Sequence, residues 1–394
     1  MDLRYSESDE AFRRELRAWL ADAVPAHGPA PSERSDWSLR REYDCAWQRR
    51  LYDAGYAGIN WPKEYGGRDA SLTEQLVYYE ETARARAPYV GVNFVGLLHG
   101  GPTIMAEGTP EQKQRHIGPI VRGEQVWCQG FSEPGAGSDL ASLRTRGEVR
   151  GDEIVVTGQK IWTSFAHFAD WCILVVRTDP EAPRKHDGIT FLLVDMKSPG
   201  IRIRPLREMT GEDWFNEVFF DGVRVPRRNA VGEIGGGWEI IVDTLSHERA
   251  SAAPHARLEA EIEALRRLAR RAPRGAGVAA EDPRIRQLLA RAVIEVTTLR
   301  LNAYRNADTI ARRGLPGPMG STLKLGWSEL DQRVKQLAAE MLGPSALLGA
   351  GDPCAVDDGY WSHELLWSRA ATLYAGTSEI QRNIIAERVL GLPR

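Results

Sequence analysis

Cysteine is scarce in this chain and widely scattered. The four cysteines among 394 residues, Cys45, Cys128, Cys172 and Cys354, include no C-x-x-C pair. That spacing excludes a disulfide scaffold and a cysteine zinc site, and it fits a reducing cytoplasm. Long apolar runs are missing too: no stretch approaches a membrane span, and the opening residues, Asp2 and Glu7 among them, lack the apolar core of a signal peptide. A soluble, unprocessed protein is expected. Neither sign of charge dominates, since 51 basic and 54 acidic residues leave a formal net charge of −3. That balance argues against a protein drawn to nucleic acid or a membrane surface by long-range attraction, so any anionic ligand must be held by local groups. H-E-x-x-H, G-x-S-x-G, G-x-x-x-x-G-K-[ST] and a glycine fingerprint after a strand are all absent. Metalloprotease, α/β-hydrolase, P-loop and Rossmann readings therefore lose their basis.

The length exceeds what one hydrophobic core supports, so two or three domains are expected. Residues 1–125 read as helical, with Phe12, Leu16, Trp19 and Leu20 at helix spacing. Asn60-Trp61-Pro62-Lys63-Glu64-Tyr65-Gly66-Gly67 interrupts that signal, and Gly100-Gly101-Pro102 reads as a second break. Ser71 with Glu74, and Thr109 before Pro110, are helix-start signals. In residues 126–232 the period changes to that of strands, in Ile154-Val155-Val156, Trp171 to Val176, Ile189 to Val194 and Val218-Phe219-Phe220. Ile201-Arg202-Ile203-Arg204 alternates as a strand with one wet face does, and turns are expected at Gly151 and Gly188. Residues 233–394 are helical again, with candidates at 238–253, 258–271, 284–312, 322–342 and 380–390 and linkers at 273–277 and 315–318. Helices, then sheet, then helices make an α+β architecture more economical than alternating βαβ units. The twelve tryptophans are scattered and read as core or interface residues.

Three stretches could carry chemistry. Gln129-Gly130-Phe131-Ser132-Glu133-Pro134-Gly135-Ala136-Gly137-Ser138-Asp139 is a polar, glycine-rich loop. It reads equally as a plain turn or as a loop that lets a ligand approach the backbone beside the Ser132 and Ser138 hydroxyls. Gly158-Gln159-Lys160-Ile161-Trp162-Thr163-Ser164 puts an indole two residues from a hydroxyl, suited to a flat heterocycle, although a strand tryptophan is more often core. Tyr374-Ala375-Gly376-Thr377-Ser378-Glu379-Ile380-Gln381-Arg382 is a glycine turn into a capped helix whose free N–H groups favour phosphate, as those of many helices that bind nothing do. On the helix after Gly235-Gly236-Gly237, at about 100° per residue, Trp238, Ile241, Leu245, Glu248 and Ala252 fall within one face of roughly 80°. Burial there would raise the pKa of Glu248 toward that of a general base, whereas Arg249 on the neighbouring edge would make it a buried ion pair.

Taken in order, Phe131 to Asp139, Gly158 to Ser164 and Gly376 to Arg382 resemble the acyl-CoA dehydrogenase family. Trp61-Pro62-Lys63-Glu64-Tyr65-Gly66-Gly67 and Val223-Arg224-Val225-Pro226 extend the likeness over nearly the whole chain. The resemblance implies an N-terminal helical domain, a central β-barrel or sandwich domain and a C-terminal four-helix bundle. It implies FAD as cofactor, with Gln129, Phe131, Ser132, Gly137, Ser138, Trp162, Thr163 and Ser164 around the flavin and Gly376, Thr377 and Glu379 along the rest. It implies an acyl-CoA substrate, touched by Ser138 and Arg249, whose α-proton goes to a glutamate while flavin N5 takes hydride from the β-carbon. An electron-transfer flavoprotein or similar acceptor and a homotetramer or homodimer are implied as partners. Many members carry the base just before Gly-Thr, where this chain has Ala375; a subset takes it from the helix opening the C-terminal domain, which corresponds to Glu248. Leu245-Ser246-His247-Glu248-Arg249 resembles actinobacterial members acting on sterol side chains, some built from two different subunits. The Arg-x-x-Phe-Gly that many members use to reach a neighbouring subunit's FAD is missing near residues 273–277. An oxygen-using flavin oxidase or monooxygenase of the same fold, and a non-catalytic partner subunit, are the alternative readings.

Overall fold

A computed structural model describes residues 5–31, 36–249, 253–313 and 317–393, with the side chains of residues 246–249 and 313 outside the described set. The fold has an N-terminal helical domain, a middle β domain and a C-terminal helical domain. By contacts the chain divides into two compact units, residues 22–70 with 88–248, and residues 1–21 with 71–87 and 249–394.

The helical part begins with α1 (Glu7–His27), α2 (Trp37–Asp53), α3 (Leu72–Arg84), α4 (Gly101–Glu107) and α5 (Pro110–Val121). Both expected helix starts form: Ser71 and Glu74, and Thr109 and Gln112, close reciprocal capping boxes. The break expected at Gly100-Gly101-Pro102 does not occur. A π-helical turn, Gly96–Gly100, runs straight into α4. Gly101 serves close approach instead of termination, because a Cβ there would sit 2.3 Å from Cη2 of the buried Trp61 ring. Trp61 also donates its indole N–H to the carbonyl of Leu97 at 3.2 Å.

The β domain contains β1 (Trp127–Gly130), β2 (Arg146–Arg150), β3 (Glu153–Lys160), β4 (Trp171–Arg177), β5 (Ile189–Asp195), β6 (Ile201–Leu206), β7 (Phe215–Pro226) and β8 (Ala230–Val231). The sheet order is β6-β7-β3-β2-β4-β5-β8, with β1 paired parallel to β4. Residues 171–176 of β4 and 189–194 of β5 are buried throughout, as strands covered on both faces must be, which is why they read as unbroken apolar runs. In β6 the isoleucines are half-buried and Arg202 and Arg204 exposed, the alternation of a strand with one wet face. α6 (Gly237–Arg249) closes this unit. Of the helix expected over 238–253, residues 238–249 form α6 and residues 250–252 lie outside the described residues; Pro254 opens the next helix.

The second unit holds α7 (Pro254–Ala269), α8 (Pro283–Arg313), α9 (Met319–Leu342), α10 (Tyr360–Trp367) and α11 (Ser378–Ile384). Leu258, Leu265, Ile285, Leu299, Val334 and Met341 are among the residues of its main core. Residues 273–277, expected as a linker, form a two-residue ladder together with Val278; of the second linker, residues 315 and 316 lie outside the described residues. Among the described residues no helix is long and apolar enough to cross a membrane, and no group of His, Cys, Asp or Glu could hold a metal ion. In the same unit Glu80 of α3 accepts hydrogen bonds from Tyr304 at 2.6 Å and Tyr5 at 3.2 Å, with His255 Nε2 3.4 Å away and Arg13 3.3 Å away. Burial opposes ionisation of Glu80, but the hydrogen bonds from His255 and Tyr304 and the nearby positive charge outweigh it and hold its pKa at about 2.

Two outcomes follow from this packing. Gly101→Ala should lower stability by about 1–3 kcal/mol in denaturant melts, because the Trp61 ring cannot retreat from the added methyl. Glu80→Gln should cost roughly 1.5–3 kcal/mol at pH 7. A depressed folded-state pKa gives stability that is present above the ordinary glutamate value of 4.5 and lost as pH falls toward about 2, so the wild-type advantage should shrink over that window in parallel urea titrations.

Candidate active site

The glycine-rich loop leaves the end of β1 and is tied down by its own glutamate. Glu133 and Ala136 exchange backbone hydrogen bonds of 2.9 and 3.0 Å, closing the turn around Pro134 and Gly135. The Glu133 carboxylate accepts the backbone N–H groups of Arg144 at 2.7 Å and Thr145 at 2.9 Å. It also pairs at 2.8 Å with Lys160, a fully buried lysine at the end of β3 that donates to the carbonyl of Phe131 at 3.0 Å as well. Burial pulls the Lys160 pKa down to about 8 against the opposing pull of Glu133. Among the ionisable groups around the loop, this pair links it to the strand that carries Trp162.

The loop and the strand end are thereby brought together. Ile161 N–H donates to the carbonyl of Ser132 at 2.9 Å. Phe131 is buried with its ring edge-on to Phe191, Gln129 Oε1 lies 2.8 Å from Nδ1 of buried His99, and Gly137 and Ser138 are exposed. Open space surrounds the positions where Gly135 and Gly137 would carry a Cβ. Asp139 faces away into an ion pair with Lys185.

Beyond β3 the backbone is strained. Trp162 and Phe165 adopt φ of 60° and 59°, a region that bulky residues avoid. Trp162 is 57% exposed despite its size, a ring past the end of β3 that stays largely in solvent with the Phe215 ring edge-on at 5.9 Å. Thr163 is wholly buried, and its Oγ1 has no hydrogen-bond partner among the described residues; Ser164 is half-buried. An exposed indole face beside an unsatisfied buried hydroxyl is an arrangement that a planar, hydrogen-bonding ligand would complete.

α6 presents Gly237, Ile240, Ile241 and Thr244 as its buried residues, with Trp238 and Leu245 half-buried, a stripe turned slightly from the one its sequence suggests. Thr244 explains the turn: its hydroxyl lies 2.7 Å from that of buried Thr103 and donates at 2.7 Å to the carbonyl of Ile240. The helix continues through Glu248 and Arg249, whose side chains, with residue Ala252, lie outside the described residues.

In the second unit Ala375 and Gly376 both have positive φ, 54° and 83°, and lead to Thr377, the cap of α11, whose Oγ1 accepts the N–H of Ile380 at 3.2 Å. Gln381 holds this turn by donating to the carbonyl of Ala375 at 2.9 Å. Ser378 Oγ and Gln381 Oε1 are buried without a partner among the described residues, and Glu379 is exposed. Sequence reasoning passed over Lys160, Glu133, His99, Asn216 and Gln381 as participants. A lysine or an asparagine inside a strand pattern was the available signal, since both are depleted in strands.

Three family models match the chain: the acyl-CoA dehydrogenase N-terminal domain over residues 6–124, the middle domain over 128–223 and the C-terminal domain over 235–390. Acyl-CoA dehydrogenase IpdE1 of Mycobacterium tuberculosis is 40% identical over 395 residues, covering 98% of each chain. Among solved structures, the ChsE4-ChsE5 complex from Mycobacterium tuberculosis is 34% identical with a TM-score of 0.86 and full coverage of both chains. The Tcur3481-Tcur3483 steroid ACAD is likewise 34% identical, with a TM-score of 0.88 and full coverage of both. Similarity of this extent, running unbroken through all three domains, makes the chain a member of the acyl-CoA dehydrogenase family.

Proposed function

We propose that this enzyme converts an acyl-CoA thioester to its trans-2-enoyl-CoA with FAD as cofactor and Glu248 as base. A steroid-derived acyl group is the substrate class in view, in keeping with the steroid ACAD among its structural neighbours. The observation that carries the reading is the Trp162 to Ser164 segment, with its largely exposed indole and a Thr163 hydroxyl that has no partner among the described residues, beside the open glycine loop. These residues fit a flavin ring. In the other unit, taken by itself, the Ser378 and Gln381 oxygens beside Gly376, unsatisfied among the described residues, would suit a polar part of FAD. Gln129, Phe131, Ser132, Gly137 and Ser138 would line the first part, and Gly376, Thr377 and Glu379 the second.

FAD, when bound, supplies the acceptor for the hydride leaving the substrate β-carbon. The chain's part is to orient the thioester and to remove the α-proton. Residue 248 lies on α6 four residues past Thr244 and seven past Ile241, both buried, which puts it on that helix line. In general, a carboxylate kept out of bulk water has the raised basicity that abstraction of a weakly acidic proton needs. Ser138 and Arg249 would contact the acyl-CoA. Electrons then pass to an electron-transfer flavoprotein or similar acceptor, and the assembly is a homotetramer or homodimer in the cytoplasm. A second reading, assembly with a different subunit, is favoured by the ChsE4-ChsE5 complex among the neighbours.

Anaerobic mixing of the oxidised, FAD-loaded protein with short, long, branched and steroid-derived acyl-CoA thioesters should bleach the flavin with at least one of them and yield the 2-enoyl product. If all fail while a nitroalkane or an oxygen-coupled substrate reacts, the oxidase alternative is right. Glu248→Gln should retain FAD while losing turnover by several orders of magnitude, with near wild-type rates disproving the assignment. Adding Ala375→Glu, just before Gly376-Thr377, to Glu248→Gln should restore part of the activity with a changed acyl preference.

A further inference from the structure

The strained Trp162 to Phe165 segment needs something to hold it, since bulky residues are disfavoured in the left-handed region that Trp162 and Phe165 occupy. The holder is the start of β7. Thr163 N–H donates to the carbonyl of Asn216 at 3.1 Å, Asn216 N–H to the carbonyl of Thr163 at 3.0 Å, and Phe165 N–H to the carbonyl of Trp214 at 2.9 Å. Asn216 adds its side chain, donating from Nδ2 to the same Thr163 carbonyl at 3.0 Å. That carbonyl can only accept, so the amide orientation is settled and Oδ1 must be the acceptor on the other side. There it meets Nδ1 of His167 at 3.1 Å, which therefore carries the proton. His167 Nε2 is buried with no partner among the described residues, and burial lowers the pKa of this ring, in keeping with a neutral imidazole protonated on Nδ1 alone. Trp37 closes the back of the cluster, its ring 5.8 Å from Phe165, 5.6 Å from His167 and 5.3 Å from Trp214.

We infer that Asn216, oriented by His167, is a positioning residue for the flavin: it fixes the peptide plane at Thr163 and through it the presentation of the Trp162 ring and the Thr163 and Ser164 hydroxyls. This inference rests on the flavin reading above. Asn216 is wholly buried and touches none of the three groups meant to face the cofactor except through the Thr163 backbone. A residue with a purely structural role would not change how bound flavin absorbs light.

The test uses the full-length protein stripped of and reloaded with FAD. Asn216→Asp replaces the donor with an oxygen of the same shape, and His167→Phe removes the donor behind it while keeping a ring. Asn216→Asp should weaken FAD binding roughly tenfold or more, read by fluorescence titration, and should change the visible circular dichroism of the flavin at saturation. His167→Phe should show a smaller change in the same direction, and His167→Gln, whose amide can donate to Asn216, should recover wild-type behaviour. Wild-type affinity and dichroism in both Asn216→Asp and His167→Phe would overturn the positioning role. So would equal losses in His167→Phe and His167→Gln. If Asn216→Asp does not fold, the two His167 variants decide the matter. A wild-type protein that takes up no FAD at all would instead remove the flavin reading itself.

Discussion

One desolvated cation organises the loop side of the site. Lys160 ends β3 with no exposure to solvent, and an ammonium in that position is tolerable only with a carboxylate and further acceptors around it. Glu133 is the carboxylate and the Phe131 carbonyl the acceptor, and both belong to the loop leaving β1. The loop therefore takes its shape from the need to cover a charge. Because Glu133 also binds the N–H groups of Arg144 and Thr145, the chain on the far side of the loop is held by the same group. Gly135 and Gly137 are left with open space above them.

The sheet supplies the rigidity that such a loop needs. Strands buried on both faces, β4 and β5, form its centre, and β1 joins that centre by parallel pairing with β4. The loop following β1 and the strained turn following β3 project from this frame, an arrangement in which reactive or binding groups sit on irregular backbone while regular structure fixes their place. Strain at Trp162 and Phe165 survives because β7 and the Trp37 cluster over-determine it. The second unit repeats the device on a smaller scale, where Gln381 pins the Ala375–Gly376 turn from inside the following helix.

Much of this was legible in the sequence, and the reason is that it is local. Caps act within four residues, so Ser71 with Glu74 and Thr109 before Pro110 announced helices that do form. Period two at Ile201 to Arg204 and the apolar runs of β4 and β5 reflect which faces meet water. The motifs of the loop, the Trp162 segment and the Gly376 turn were enough to indicate the family, because each is a short backbone geometry with its own residue requirements.

What the sequence alone determined, then, is the order of helices and strands and the identity of the motifs, both functions of neighbours along the chain. Only the tertiary structure decided what Gly101 is for, since the ring that demands it is Trp61, forty residues away. Only it turned Lys160 from a strand residue into the anchor of a loop, and Asn216 from a poor strand former into the group that holds Thr163. Burial and hydrogen-bond partnership depend on what lies across space, and a lysine or an asparagine has the same local propensities whether its partner is water or a buried carbonyl.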